Sequence, residues 1–490
     1  MNEATRNYIR QHAHDDVRQL ALQGKRSVGE VDLTFALEQI AGRQMAERKL
    51  PSWAAVDGVV YPPHLSMEQC SSEATAAYKA EVAGWGGLMV DLTGGFGVDF
   101  AWMSRGFRHA VYVERQPSLC ELAAQNFRLL GVEAETVCAD GMEYLHTLDH
   151  ADLIFIDPAR RDEHGARTYG IADCTPNVLE AMDELMDKTD RLLLKLSPML
   201  DWRKAVEEVM SDKSGVRTDQ FWVSSVHIVS VENECKELLV LVEGGRGEET
   251  GVRSQERGGG SQERGVGSQE TGGRRKETGD RSQEKRDWSQ ERGVRSQEAG
   301  EIFRVVCVNL LSDGSMEYFE YSPDSSLPSP DSCLLSPDSC LPSPDSCLLT
   351  PDSFLPSPDS CLLTPDSSPK ATYLLVPNAS IMKAGCFSLL EERYGIRQVG
   401  QNSHLFVSDT AISEFPGRQF CIERVTSLNK RELREAMAGV TKANISVRNF
   451  PMSVAELRKR LRLQDGGDLY IFATTVANHG HQLFVCRKKS

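Results

Sequence analysis

One stretch constrains the fold more than any other: Gly87-Leu-Met-Val-Asp-Leu-Thr-Gly-Gly-Phe-Gly-Val-Asp99. Leu88-Met-Val90 predicts a short apolar strand that ends at Asp91. Gly94, Gly95 and Gly97 predict a tight turn, and Val98 to Arg105 predicts a helix. Strand, glycine turn and helix in that order form the first βα unit of a doubly wound α/β sheet. Glycine lets the backbone take positive φ and run close beneath a ligand.

Three acids downstream sharpen this expectation. Glu114 closes the apolar run Ala110-Val-Tyr-Val113, and Asp140 follows Val137-Cys-Ala139. Asp157 closes Leu153-Ile-Phe-Ile156 and opens Asp-Pro-Ala-Arg160. Each acid falls at the carboxyl end of a predicted strand, the edge where open α/β sheets bind ligands. A carboxylate there can accept both hydroxyls of a ribose. The glycine spacing is not the G-x-G-x-x-G of dinucleotide enzymes, and no Walker Lys-Ser/Thr follows it. A flavodoxin-like or dehydrogenase sheet is the alternative.

The pattern resembles the class I S-adenosylmethionine-dependent methyltransferases, with their Rossmann-like sheet. The resemblance implies S-adenosyl-L-methionine as cofactor. It places Asp91, Thr93, Gly94, Gly95 and Gly97 at the methionine end, Glu114 on the ribose and Asp140 on the adenine amine. It turns Asp157 and Pro158 toward the substrate.

At 490 residues the chain exceeds one ordinary domain, and its formal net charge is -16. The thirteen cysteines are scattered, with no C-x-x-C pair, so no metal is expected. Met1 to Lys25 is polar and charged, without a secretory pattern, and no apolar stretch is long enough to span a membrane. The expectation is a soluble, cytoplasmic protein with reduced thiols.

Two stretches repeat every seven residues. Ser-Gln-Glu recurs from Ser254 to Ser296, and Pro-Asp-Ser recurs with aspartates from Asp324 to Asp366. Neither has the two apolar positions per heptad of a coiled coil, and proline in every copy of the second excludes a helix. Both read as disordered insertions, 244–300 and 322–370, without a catalytic role. A tether or phosphorylation platform is the functional alternative. Between them, 301–321 reads as a hairpin turning at Asp313-Gly314.

The remaining segments read as an N-terminal helical region, 1–80, a methyltransferase core, 81–243, and a C-terminal α+β part. In the core, Pro117 opens a helix that Gly131 ends, and Asp173 to Lys188 predicts another. Phe221 to Val231 and Lys236 to Val242 predict a closing hairpin. Between Gly417 and Leu463, eleven basic residues face four acidic ones within an acidic chain. Such a patch suits a phosphate backbone. Lys442-Ala-Asn-Ile-Ser-Val-Arg-Asn-Phe450 adds amides, cations and an aromatic, groups suited to RNA loops.

Glu68-Gln-Cys-Ser-Ser-Glu-Ala-Thr-Ala-Ala-Tyr-Lys79, Phe415-Pro-Gly-Arg418, Ser446-Val-Arg-Asn-Phe-Pro451 and Gly466-Gly467 resemble a bacterial family. Its members are class I methyltransferases with a C-terminal THUMP-like domain, here 417–490, preceded by a ferredoxin-like module, here 371–416. The resemblance implies an RNA substrate, tRNA or rRNA; from the residues themselves, Arg160 and Arg161 are suited to hold phosphate, and Arg448 and Asn449 of the 442–450 stretch are suited to contact RNA. Protein or small-molecule methylation, and a non-catalytic RNA-binding role, are the alternatives.

Methyl transfer requires an aligned nucleophile and, where that nucleophile is weak, removal of a proton. Asp157-Pro158 fits half of the Asp-Pro-Pro-aromatic pattern of exocyclic amine methylation, with Tyr169 a distant aromatic. Carbon-5 methylation needs a cysteine nucleophile, and only Cys174 is near. Lys79, Asp157, Lys195 and Glu237 follow the order of the Lys-Asp-Lys-Glu set of ribose 2′-O methyltransferases. In that reading a second cation and burial lower the pKa of the catalytic lysine.

Overall fold

The computed structural model describes residues 1–23, 30–160, 170–211, 221–244, 303–323, 373–476 and 479–489. The expected insertions fall almost wholly outside the described residues. Six helices come first: α1 (Glu3–Gln11), α2 (Val17–Gln23), α3 (Leu33–Lys49), α4 (Pro51–Ala54), α5 (His64–Gln69) and α6 (Glu73–Ala83). Then follow β1 (Gly86–Asp91), α7 (Val98–Met103), β2 (Phe107–Glu114), α8 (Pro117–Leu130), β3 (Glu135–Cys138) and α9 (Gly141–Thr147). Next come β4 (Leu153–Ile156), β5 (Ala159–Arg160), β6 (Cys174–Thr175), α10 (Val178–Asp187), β7 (Arg191–Leu196) and α11 (Trp202–Met210). Four strands complete this part: β8 (Phe221–Val231), β9 (Glu234–Gly244), β10 (Arg304–Leu310) and β11 (Met316–Tyr321).

Among the described residues these strands build a nine-stranded sheet in the order β11-β10-β8-β9-β7-β4-β1-β2-β3. Strands β3, β2, β1, β4 and β7 are parallel. Strand β9 enters antiparallel between β7 and β8. Strand β10 runs parallel to β8 and antiparallel to β11, with Gly314 at φ 81° in the turn. The chain winds outward in opposite directions from β1 and β4, so the switch point lies beyond their carboxyl ends.

Strand sequences explain the layering. Leu153-Ile-Phe-Ile156 is buried throughout, as expected of a parallel strand covered on both faces. Alternate residues serve opposite sides: Leu153 and Phe155 pack with Trp53, Tyr78, Phe100 and Phe127. Ile154 and Ile156 pack with Val178, Leu185, Trp202 and Ala205. The N-terminal helices thus cover one face, and α10 and α11 cover the other. Buried Asn126 binds the Val60 backbone in both directions, Nδ2 donating at 2.8 Å and Oδ1 accepting at 2.9 Å.

Helix α10 begins at Val178, later than the Asp173 expected from sequence. Pro176 supplies the reason: the residue before a proline is driven out of helical conformation. Cys174 and Thr175 instead pair with Arg160 and Ala159.

The C-terminal part contains β12 (Tyr373–Pro377), α12 (Ala379–Ala384), α13 (Phe387–Tyr394), β13 (Arg397–Gln398), β14 (Phe406–Ser408) and β15 (Gly417–Ser427). It continues through α14 (Lys430–Ala436), β16 (Asn444–Arg448), α15 (Val454–Leu461), β17 (Leu469–Val476) and β18 (Gly480–Lys488). Its strands make one sheet, β13-β14-β12-β15-β18-β17-β16. Strand β12 pairs with β15 from Tyr373–Cys421 to Pro377–Gly417, so the segments on either side of Gly417 share a continuous sheet.

This second sheet is anchored to the first. Ile381, Ala384, Cys386 and Leu390 join the core that lines β4, β7 and β9. Asn378 caps α12 by accepting from Ile381 N, and its Nδ2 donates to Glu317 on β11 at 2.9 Å. Trp202 Nε1 and Arg203 Nη2 donate to the Ala384 carbonyl at 3.3 and 3.0 Å. No helix among the described residues is long and apolar enough to cross a membrane.

Candidate active site

The glycine turn is shaped by close packing. Gly97, at φ 82°, starts α7, and a Cβ there would lie 2.6 Å from the Phe127 ring. A Cβ on Gly94 would lie 2.2 Å from the Tyr112 ring. The turn therefore lies directly on β2 and α8, and side chains at these two positions would lift it away.

The predicted cofactor residues converge around this turn. Glu114, buried at the end of β2, accepts from Gly95 N and Gln116 N, each at 2.8 Å. Asp140 is exposed at the start of α9, where it accepts from Met142 N at 2.9 Å. Asp91 is buried, accepts from Thr93 N at 2.9 Å, and is pushed up to about 8 by burial. Thr93 Oγ1 accepts from Asp157 N at 2.7 Å, linking the turn to the end of β4.

Beside the turn lies a chain of alternating charges. Lys195 Nζ on β7 lies 2.6 Å from Asp157 Oδ2 and 3.1 Å from Asp99 Oδ2. Lys79 Nζ on α6 lies 3.2 Å from Asp99 Oδ1 and within 2.5–2.6 Å of both oxygens of Glu237 on β9. Ser71 Oγ donates to Asp99 at 2.7 Å. All four members of the expected Lys-Asp-Lys-Glu set are thus joined, through a fifth residue, Asp99.

Sequence reading did not single out Asp99. Its signal was its place in the first turn of the helix after the glycine loop, directly beneath the loop. The N-terminal helical region also does more than pack or recognise, because it supplies Lys79 and Ser71.

Exposure varies along the chain. The Lys79 side chain is 0% exposed, Lys195 12% and Asp157 41%. Two ammonium groups and three carboxylates leave an excess negative charge, and Asp157 is the member that meets solvent. Burial alone would raise Asp99, but Lys195 and Lys79 hold it down at about 2. Burial alone would lower Lys195, but Asp157, Asp99 and Glu237 together hold it well above the ordinary lysine value. This is opposite to the lowered pKa expected of a lysine base: the surrounding carboxylates outnumber the one neighbouring cation.

The other predicted contacts lie elsewhere or outside the description. Pro158 is buried beside Asp157. Arg160 belongs to β5, and Arg161 and Tyr169 lie outside the described residues. Cys174 is buried on β6, where it pairs with Arg160. Arg448 and Asn449 belong to the second sheet, where Asn449 Nδ2 donates to the Gln401 carbonyl at 2.9 Å. Among the described residues no group of three His, Cys, Asp or Glu is arranged to hold a metal ion.

Known proteins share this architecture. Residues 373–416 match a ferredoxin-like domain and residues 417–488 match the description THUMP domain-like. A crystal structure described as a "putative methyltransferase from Porphyromonas gingivalis W83" superposes with a TM-score of 0.68 at 26% identity, covering 99% of this chain and 98% of that one. An rRNA methylase from Streptococcus thermophilus overlaps 35% of this chain and 96% of its own, at 18% identity and a TM-score of 0.27. The M1A22 tRNA methyltransferase TrmK of B. subtilis overlaps 35% of this chain and 65% of its own, at 16% identity and a TM-score of 0.26. These two partial overlaps carry no further weight. No curated protein matches the sequence. From end to end the chain therefore carries a Rossmann-like methyltransferase fold followed by a ferredoxin-like and a THUMP-like domain.

Proposed function

We propose that the protein is an S-adenosylmethionine-dependent RNA methyltransferase that modifies a base nitrogen. The observation that carries this reading is the charge chain ending at Asp157, at the switch point of the sheet beside the glycine turn.

The residues present fit the cofactor. Glu114, its carboxylate fixed by two backbone N–H groups, would accept the ribose hydroxyls. Asp140 stands beyond the next strand end for the adenine amine, and Thr93, Gly94 and Gly95 of the turn are half-buried beside Glu114. When bound, S-adenosylmethionine supplies an electrophilic methyl group on a sulfonium. The excess negative charge of the Lys–Asp–Glu chain favours a cationic group nearby.

Asp157 receives the hydrogen of the nucleophile. Lys195 orients its carboxylate, and Asp99, Lys79, Glu237 and Ser71 hold Lys195. A lysine kept cationic by carboxylates is a poor base, so the geometry suits a nitrogen that needs only a hydrogen-bond acceptor. A ribose 2′-hydroxyl is the second reading, favoured by the joining of all four members of the Lys-Asp-Lys-Glu set. The THUMP-like match and the basic segment around it support RNA as substrate.

The test is methyl transfer by purified protein to total RNA from cells lacking the gene. Incorporation by wild type and its loss in Asp157→Asn supports the reading. Incorporation into protein or small molecules but not RNA would replace it.

A further inference from the structure

Helices α14 and α15 cover one face of the second sheet, packing Leu433 and Leu457 onto Ile471 and Leu483. Phe450, just beyond β16, joins the same cluster and stays half-buried. Asn449, in left-handed backbone at φ 45°, turns the chain off β16 immediately before it. Across β17 and β18, Thr475 pairs in register with His481.

Direct contacts join these elements into one strip. His481 is exposed, and its ring meets the Phe450 ring edge to face, with centroids 5.5 Å apart. Thr475 Oγ1 donates to the Asn449 carbonyl at 2.7 Å, so it accepts from His481 Nδ1, 3.1 Å away. Nδ1 therefore carries the proton, and Nε2 has no hydrogen-bond partner among the described residues. Two residues beyond Phe450, Met452 Sδ lies 4.0 Å from Arg460 Nη1 on α15. The other arm of that guanidinium, Nη2, donates to the Leu428 carbonyl at 3.1 Å, two residues before Lys430 opens α14. Two rings thus lead, through Met452, to the cations of both helices.

The acids nearest the strip are occupied by neighbouring serines or by an arginine. Glu432 accepts from Ser427 N and Oγ at 3.1 and 2.7 Å, and Glu456 from Ser453 N and Oγ, both at 2.8 Å. Glu435 pairs with Arg431 at 3.5 Å. Exposed Lys430, Arg434 and Lys459 have no ion-pair partner among the described residues. Cations beside aromatic rings suit a single-stranded nucleic acid, whose phosphates meet the charges and whose unstacked bases meet the rings. A duplex keeps its bases stacked on one another and offers the rings nothing.

We propose that this strip binds a single-stranded segment of the RNA substrate. One base stacks against Phe450 and His481, and the flanking phosphates sit on Arg460, Lys430 and Lys459. This role rests on the RNA reading above and specifies the form of the RNA, an unpaired stretch.

The test is binding of a fluorescein-labelled, unpaired RNA of about 12 nucleotides to the full chain across a KCl series, beside the same RNA annealed to its complement. Wild type should bind the unpaired form about tenfold more tightly than the duplex. Phe450→Leu, which keeps the apolar packing, and His481→Ala should each weaken binding about tenfold without changing the log–log salt slope. Phe450→Tyr, which keeps a ring, should bind as wild type does. Lys430→Gln and Arg460→Gln should each weaken binding about threefold and flatten the slope by about 0.7. Arg18→Gln, on α2, should change neither quantity. Wild-type affinity in both Phe450→Leu and His481→Ala, or tighter binding of the duplex, would overturn the strip while sparing RNA as substrate. Binding as expected, without methyl transfer to any RNA, would uphold the strip and remove the RNA methylation reading. Failure of wild type to bind either RNA would remove both.

Discussion

At the scale of single residues, the account turns on Asp157 and its supports. Asp157→Asn should lower single-turnover methyl transfer by about a hundredfold or more, with cofactor binding by calorimetry unchanged. Lys79 tests the buried end of the chain. Lys79→Met leaves Glu237 and Asp99 with less countercharge and should cost about 3–5 kcal/mol in urea melts. Lys79→Met combined with Glu237→Gln should recover part of that loss. Asp91 predicts a pH dependence. Its folded value near 8 stands above the ordinary 3.8, so its contribution is complete below about pH 4 and is lost as pH rises through 8. Within that window the slope is about 1.4 kcal/mol per pH unit. Urea melts of Asp91→Asn at pH 5 and pH 7 should show that slope removed. The acids at strand ends were legible from sequence because each interrupts an apolar run at a fixed place in the fold. Asp99 was not, because a carboxylate in the first turn of a helix is also an ordinary end charge.

Among elements, the hairpin of β10 and β11 is the hinge of the architecture. It extends the first sheet and presents Glu317 to Asn378. Asn378→Ala removes both the α12 cap and this tie, and should cost about 1–2 kcal/mol by thermal or urea melting. An unchanged melt would mean that the apolar contacts of Ile381 and Leu390 hold the second sheet alone. Local signals disclosed most of these elements. Asn378 and Asn429 cap α12 and α14, each a residue type that favours a helix start, and Asp313-Gly314 turns the hairpin. The single sheet spanning Gly417 was not legible. Pairing of β12 with β15 joins residues some forty positions apart, and nothing in either strand names its neighbour. The late start of α10 was legible in Pro176, although apolar spacing alone ran the helix through it.

For the whole molecule, the site draws on α6 for Lys79, on the nine-stranded sheet for Asp157, Lys195 and Glu237, and on α7 for Asp99. In the proposed mechanism the N-terminal helices as well as the core contribute to the site. The stretch from 245 to 302 leaves β9 and returns to β10 at the same end of β8, two strand spacings of about 4.8 Å apart. Replacing it with a linker of about six residues, which reaches roughly 20 Å, should leave melting and methyl transfer unchanged. A folded but inactive product would give the repeat a role. The most direct test of the central claim is mass spectrometry of nucleosides from tRNA and rRNA. Cells lacking the gene would be compared with the same cells carrying wild type or Asp157→Asn. The account predicts one methylated base missing from the deletion, restored by wild type and not by the variant. An unchanged set of methylated nucleosides in the deletion would contradict it.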